Sequence, residues 1–200
     1  MRKIVFATNN RHKLEEVQAM LEGDFQLITP RDCGITEEIP EDHPTLEGNA
    51  LQKARYIHQR TGLDCFADDT GLEVEALNGA PGVHSARYAG ETHDSLANMA
   101  LLLKNMESLP DRERGARFRT VIALIFNGEE HLFAGEIRGV IIREPAGSHG
   151  FGYDPLFRPE GYDITFAEMD GAEKNRISHR ARAVACLVAF LKEKPATLNP

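Results

Sequence analysis

The stretch LDCFADDTGLEVEAL sets two acids, Asp68 and Asp69, between an apolar run and a turn signal. If the backbone stays extended through both, their side chains point to opposite faces and the pair does not clasp one ion. A turn beginning at Asp69-Thr70-Gly71 changes that geometry, and an Asx-turn with one acid on the backbone and the other in solvent is the purely structural alternative. A second group of acids lies in TEEIPEDHP. Glu41 there is a candidate ligand for magnesium, a hard ion that takes a few carboxylates and keeps several waters beside substrate phosphates. A solvated acidic surface is the competing reading of Glu37, Glu38, Glu41 and Asp42.

Cations and hydroxyls with complementary chemistry sit elsewhere in the chain. ATNNRHK places Thr8, Asn9 and Lys13 at a strand end and a first helical turn, where free amides can take a phosphate; the same residue types are also ordinary helix caps. The segment lacks the glycine pattern of a nucleoside-triphosphate loop. SHGFGYDP brings Phe151, Gly152, Tyr153 and Asp154 into one glycine-rich stretch, in which Phe151 or Tyr153 could stack on a planar base or merely anchor a loop. Lys174, Arg176, His179 and Arg180 gather near the start of the last helix and suit anionic or polar partners. Ser178 and His179 are neighbours on a helix and diverge, so they make no nucleophile–base pair, and Ser178 reads as a helix cap.

These groups need a frame to hold them. KIVFAT predicts a buried strand, followed by a helix with Leu14, Val17 and Leu21 on one face, a short strand over residues 25–28 and an irregular acidic loop. TLEGNALQKARYIHQR predicts a helix with Leu51, Ala54 and Ile57 inward and Gly62 at its end. LDCFAD predicts a central strand, and GLEVEAL either a second strand or its continuation after a bend. A glycine-rich loop and a helix over about 92–106 follow. FRTVIALIF, Asn127-Gly128 and EEHLFAGEIRGVII form a clear hairpin signal, REPAGSHGFGYDPLFRPEG is irregular, and SHRARAVACLVAFLKEK is the last helix, with Val184, Leu187, Val188 and Leu191 inward. Helices mixed with buried strands and a hairpin indicate an α/β domain without a linker.

Two hundred residues with 42% hydrophobic and 27% charged side chains can bury a real core, which argues against disorder. A formal charge of −8 disfavours a nonspecific nucleic-acid coat. Cys33, Cys65 and Cys186 follow no zinc spacing and read as small core residues of a reducing compartment; the polar N-terminus resembles neither signal peptide nor membrane span, so the cytoplasm is the expected location.

FATNNRHKLEEV, GNALQKA, ADDTGLEVEALNGAPGVHSARYAG, REPAGSHGFGYDPLF and EKNRISHR occur in this order along nearly the whole chain. In these segments the chain resembles the inosine triphosphate pyrophosphatase family, the noncanonical purine nucleoside triphosphate pyrophosphatases that cleanse nucleotide pools. The resemblance implies an α/β fold with an elongated mixed β-sheet flanked by helices, two lobes around a central nucleotide cleft, one domain over residues 1–200 and a homodimer. It implies Mg2+-dependent hydrolysis of ITP, dITP and XTP to the monophosphate and pyrophosphate, with no membrane and no direct nucleic-acid partner. Thr8, Asn9 and Lys13 match its triphosphate-binding opening. Glu41 and Asp69 match its metal-site acids, with Asp68 and Asp69 the alternatives for orienting water. Phe151, Gly152, Tyr153 and Asp154 match the segment framing the base, and Lys174, Ser178, His179 and Arg180 lie in its phosphate and base motif. Selection for a 6-oxo purine follows if the pocket leaves a polar group unpaired against adenine, a penalty of roughly 1–3 kcal/mol.

One residue departs from the family pattern: Gly48 stands before Asn49-Ala50, where many relatives carry an acid. The missing carboxylate could remove a direct or water-mediated metal contact, with neighbouring Glu47 a partial replacement, which keeps open an alternative, a purine-nucleotide-binding protein with little or no turnover. A structural or interaction protein is a third reading, in which Lys13, Asp69 and Lys174 have no part in binding nucleotide.

Overall fold

The computed structural model describes residues 2–8, 11–21 and 25–193. β1 (Arg2–Phe6), β2 (Phe25–Ile28) and β3 (Cys65–Val74) are joined through α1 (Arg11–Met20) and α2 (Leu46–Thr61), and β1 pairs in parallel with both other strands. Parallel neighbours require such crossovers, which accounts for the alternation of strand and helix in this part of the chain. β4 (Pro81–Gly82) lies antiparallel to β3, and α3 (Ser95–Asn105) begins where the Asp94 carboxylate accepts the N–H groups of Leu96 and Ala97. β5 (Gly115–Phe126) and β6 (Glu129–Ile141) meet at Asn127-Gly128, both left-handed with φ of 52° and 81°, as a two-residue hairpin demands. The strand order is β2-β1-β3-β5-β6-β7, with β4 on β3 and β7 (Phe157–Pro159) antiparallel to β6. α4 (Gly171–Ile177) and α5 (His179–Glu193) follow. The mixed sheet flanked by helices agrees with the fold class expected from the sequence.

Three local features add to or differ from the sequence reading. β3 takes the extended alternative and continues through Asp69-Thr70-Gly71 without a turn, and at Gly71 the Gly82 carbonyl lies where a Cβ would come within 2.6 Å of it. β7 emerges from a segment that reads as irregular and needs β6 as its template, while α4, which the sequence reading does not anticipate, is capped by Asp170 accepting the Glu173 N–H at 2.7 Å. Of the three cysteines only Cys65 is buried, and Cys186 is exposed on α5.

The chain divides into two compact units. The first comprises residues 1–69, 121–135 and 181–200, of which the described part has a core of Ile4, Phe6, Val17, Phe66, Ile122, Leu124, Phe126, Val184 and Leu187. Phe66 alternates with Cys65 and Ala67 along β3, and Cys65 turns to the other face, donating its thiol to the Ala54 carbonyl of α2. Burial pushes the Cys65 thiol up to about 12. The second unit, residues 70–120 and 136–180, is built around Leu72, Leu102, Phe118, Ile141, Leu156, Phe157 and Phe166. No helix among the described residues is long and apolar enough to cross a membrane.

Candidate active site

Strand periodicity decides the acid pair. Asp68 continues the face of Phe66 and meets α1, where Lys13 Nζ lies 2.9 Å from its Oδ2 and donates to Oδ1 at 3.1 Å. Asp69 continues the face of Cys65 and Ala67 and meets α2, where Asn49 Nδ2 donates to its Oδ2 at 3.1 Å and Lys53 Nζ stands 4.0 Å from its Oδ1. Lys53 also donates to the Asp68 carbonyl at 2.8 Å and pairs with Glu41. The adjacent acids therefore serve two separate cation contacts.

Placement by α2 explains how the sequence achieves this. Thr45 caps the helix by accepting the Gly48 N–H at 3.0 Å, and the left-handed Gly62 ends it. Ala54 and Ile57 are buried as expected, while Leu51 is half-buried. Asn49 and Lys53, one turn apart, are also buried and carry the polar contacts. Neither polar residue is singled out by its type, though both lie in the GNALQKA segment; the return of the acidic loop and β3 to this helix supplies their partners.

The electrostatics follow from burial. Asp69 is held above its ordinary value chiefly by desolvation, with Glu41 adding to the effect and Lys53, Asn49 and Lys13 opposing it. Burial works to lower Lys53, but Asp69, Glu41 and Asp68 outweigh it and raise its pKa, so the ammonium stays charged. Glu41 and Asp69 both approach Lys53 Nζ, and as hard oxygen donors they are of the type that magnesium takes beside water and phosphate oxygens. Among the described residues no three His, Cys, Asp or Glu side chains converge on one point. The donor set fits an ion arriving with phosphate better than one caged by protein alone.

The second unit holds the other sequence-derived residues. Asp154 Oδ2 accepts the Phe151 N–H at 2.8 Å and Lys174 Nζ at 2.6 Å, folding the segment back on itself. Gly150 permits this: its φ is +76°, and a Cβ there would fall 2.1 Å from Asp154 Oδ2. Desolvation raises the Asp154 pKa, with Lys174, the Phe151 amide and Arg180 opposing. The two aromatics, alternatives by sequence, separate cleanly. Tyr153 is buried, its hydroxyl donating to the Ser85 carbonyl at 2.8 Å, and burial raises its pKa. Phe151 is 37% exposed, with Lys174 Nζ 5.0 Å and Arg180 Cζ 5.4 Å from its ring centroid.

Gly152 is left-handed, with open space where a side chain would start. His179 is buried and stacked on Phe118 at 4.7 Å, and Arg180 is buried next to it in sequence. Ser178 separates α4 from α5 with extended backbone, its N–H donating to the Lys174 carbonyl. In the first unit Thr8 follows β1 and is half-buried, its N–H donating to the Phe6 carbonyl, while Asn9 lies outside the described residues.

Fold and site define a mixed α/β protein with a buried carboxylate–lysine network on its central strand and an aromatic–cation cluster in its second unit. The chain belongs to the Ham1 family, whose profile matches residues 4–190. The dITP/XTP pyrophosphatase of Porphyromonas gingivalis is 56% identical over 191 residues, covering 96% of this chain and 98% of that protein. A HAM1 protein from Coxiella burnetii superposes with a TM-score of 0.91 at 40% identity, covering 97% of this chain and all of that one. The nucleoside-triphosphatase, dITP/XTP pyrophosphatase, of Mycobacterium abscessus superposes with a TM-score of 0.79 at 47% identity, covering 92% of this chain and 98% of its own.

Proposed function

We propose that this chain hydrolyses noncanonical purine nucleoside triphosphates, dITP, ITP and XTP, to the monophosphate and pyrophosphate. The observation that carries the reading is the Asp69–Lys53–Glu41 group beside Lys13, in a chain 56% identical along nearly its full length to a dITP/XTP pyrophosphatase. Bound magnesium supplies charge neutralisation at the phosphates and polarisation of water. Glu41 and Asp69 would hold it. Lys13 and Lys53 bind phosphate oxygens and offset the charge that builds as pyrophosphate departs. Asp69 orients the water attacking the α-phosphorus and accepts its proton. Asp68, ion-paired with Lys13, positions that lysine.

In the same proposal Phe151 stacks on the purine, Tyr153 and Asp154 fix the backbone that frames it, and Lys174, Ser178, His179 and Arg180 contribute the polar contacts. Thr8 and Asn9 join the phosphate shell, Gly152 lets backbone approach the base, residues 1–200 act as one catalytic domain, and two copies form a homodimer in the cytoplasm. Product-resolved hydrolysis over a triphosphate panel, with and without magnesium, tests the reading. Pyrophosphate and monophosphate from dITP and XTP are expected, and orthophosphate release sinks it. Gly48 favours a second reading, binding without turnover, which tight dITP binding and no hydrolysis with magnesium or manganese would support.

A further inference from the structure

We propose that Gly48 is a positioning residue: its missing side chain is the seat for His43, and the seated loop presents Glu41 to Lys53. The consequence for turnover rests on the hydrolysis reading above; the seat itself rests on geometry.

Residues 41–43 form no regular element, yet each is tied to one stripe of α2. Glu41 pairs with Lys53. The Asp42 N–H donates to Gln52 Oε1 at 2.9 Å, and Gln52 Nε2 donates back to Asp42 Oδ2 at 3.0 Å. The His43 N–H donates to Asn49 Oδ1 at 2.8 Å. Asn49, Gln52 and Lys53 stand at i, i+3 and i+4, on one helix face. Loop and helix run past each other residue by residue, so a shift at one rung displaces the others.

Gly48 closes the row. A Cβ built there would lie 2.6 Å from His43 Cβ and 2.8 Å from its Cγ. These atoms are the root of the imidazole side chain, so even an alanine forces the loop itself to move. Gly48 is also the third helical residue after the Thr45 cap, where a glutamate would complete a capping box. The chain forgoes that carboxylate and accepts glycine's poor helix propensity at this position. Loop register is what the vacancy supplies in return. Asn49 carries the register onward, since its Nδ2 donates to Asp69 Oδ2. On this geometry the missing side chain at position 48 is given up for the seating of His43.

The test compares the full chain with Gly48→Ala and with Gly48→Ala combined with His43→Gly. Two readouts are needed: amide hydrogen exchange at Asp42 and His43, followed by NMR, and magnesium dependence of pyrophosphate release from dITP. Gly48→Ala is expected to speed exchange at both amides about tenfold and to raise the magnesium concentration for half-maximal rate, with amides in the interior of α2 unchanged. Adding His43→Gly restores the magnesium dependence. Should Gly48→Ala fail to fold, recovery of folding by His43→Gly reports the same contact. Unchanged exchange in Gly48→Ala overturns the seat. Faster exchange with an unmoved magnesium dependence overturns its role in presenting Glu41. Absence of any hydrolysis by the parent chain is a failure of the hydrolysis reading instead, and the exchange measurement still decides the seat.

Discussion

In the first unit three carboxylates, Glu41, Asp68 and Asp69, face two ammonium groups, Lys13 and Lys53, whereas in the second a single carboxylate, Asp154, faces Lys174 near Phe151 and Arg180. The first cluster carries excess negative charge, which favours a cation. The second carries excess positive charge around an aromatic face, which favours an electron-rich planar or anionic group. Their construction differs too. The acids of the first cluster sit on a strand whose faces are read by two helices, while the second is a loop locked by one aspartate. Under the proposed function the first cluster would serve the phosphate reaction and the second the base, and substitutions should then separate the two in measurement.

The largest effect is expected from Asp69→Asn. Loss of a general base costs about 10²–10⁴-fold in rate, and product-resolved kinetics should show that fall in kcat with little change in KM. Stability should move the other way. The folded chain holds Asp69 above 3.8 by burial, so between that value and the raised one it binds more protons than the unfolded chain. Stability contributed through this group falls as pH rises across that window and stays flat above it. The Tm of Asp69→Asn should thus gain on the parent from pH 4 upward; a widening deficit would contradict the assignment of burial as the cause.

Next in size is Lys174→Met. Removing one member of a buried pair leaves the Asp154 charge uncompensated and should destabilise by about 3–5 kcal/mol in denaturant unfolding. Adding Asp154→Leu should recover most of that stability without recovering nucleotide affinity. Recovery of both would mean that the second cluster is structural only.

The smallest effects sharpen the division within SHGFGYDP. Phe151→Ala should raise KM for dITP by the worth of one base stack, about 1–3 kcal/mol, and barely alter Tm, since the ring is already part-exposed. Tyr153→Phe should do the reverse, losing the hydrogen bond to Ser85, about 0.5–1.5 kcal/mol of stability, with KM nearly unchanged. Equal effects of the two substitutions on KM would erase the distinction between a stacking ring and an anchor.

Much of the fold is legible in the sequence. The hairpin at Asn127-Gly128, the 25–28 strand and the apolar stripes of α1 and α5 follow from turn chemistry and periodicity. Period two also foretold that Asp68 and Asp69 diverge if the strand persists. What escaped was whatever depends on a distant partner. β7 is three residues long and exists as a strand by pairing with β6. α4 is seven residues, set off from α5 only by the extended backbone of Ser178. Asn49 and Lys53 acquire their contacts because an acidic loop and β3 both return to α2.

Sequence alone determined the local grammar of this protein: where chain must turn, which helix faces are apolar, and which segments carry acids, cations and aromatics. Those properties belong to a few neighbouring residues and their spacing. Tertiary structure decided which acid meets which lysine, which aromatic ring is left exposed and why a glycine stands beneath His43. Burial and partnership are set by groups far apart along the chain, and with them the desolvation and charge that give Asp69 its raised pKa.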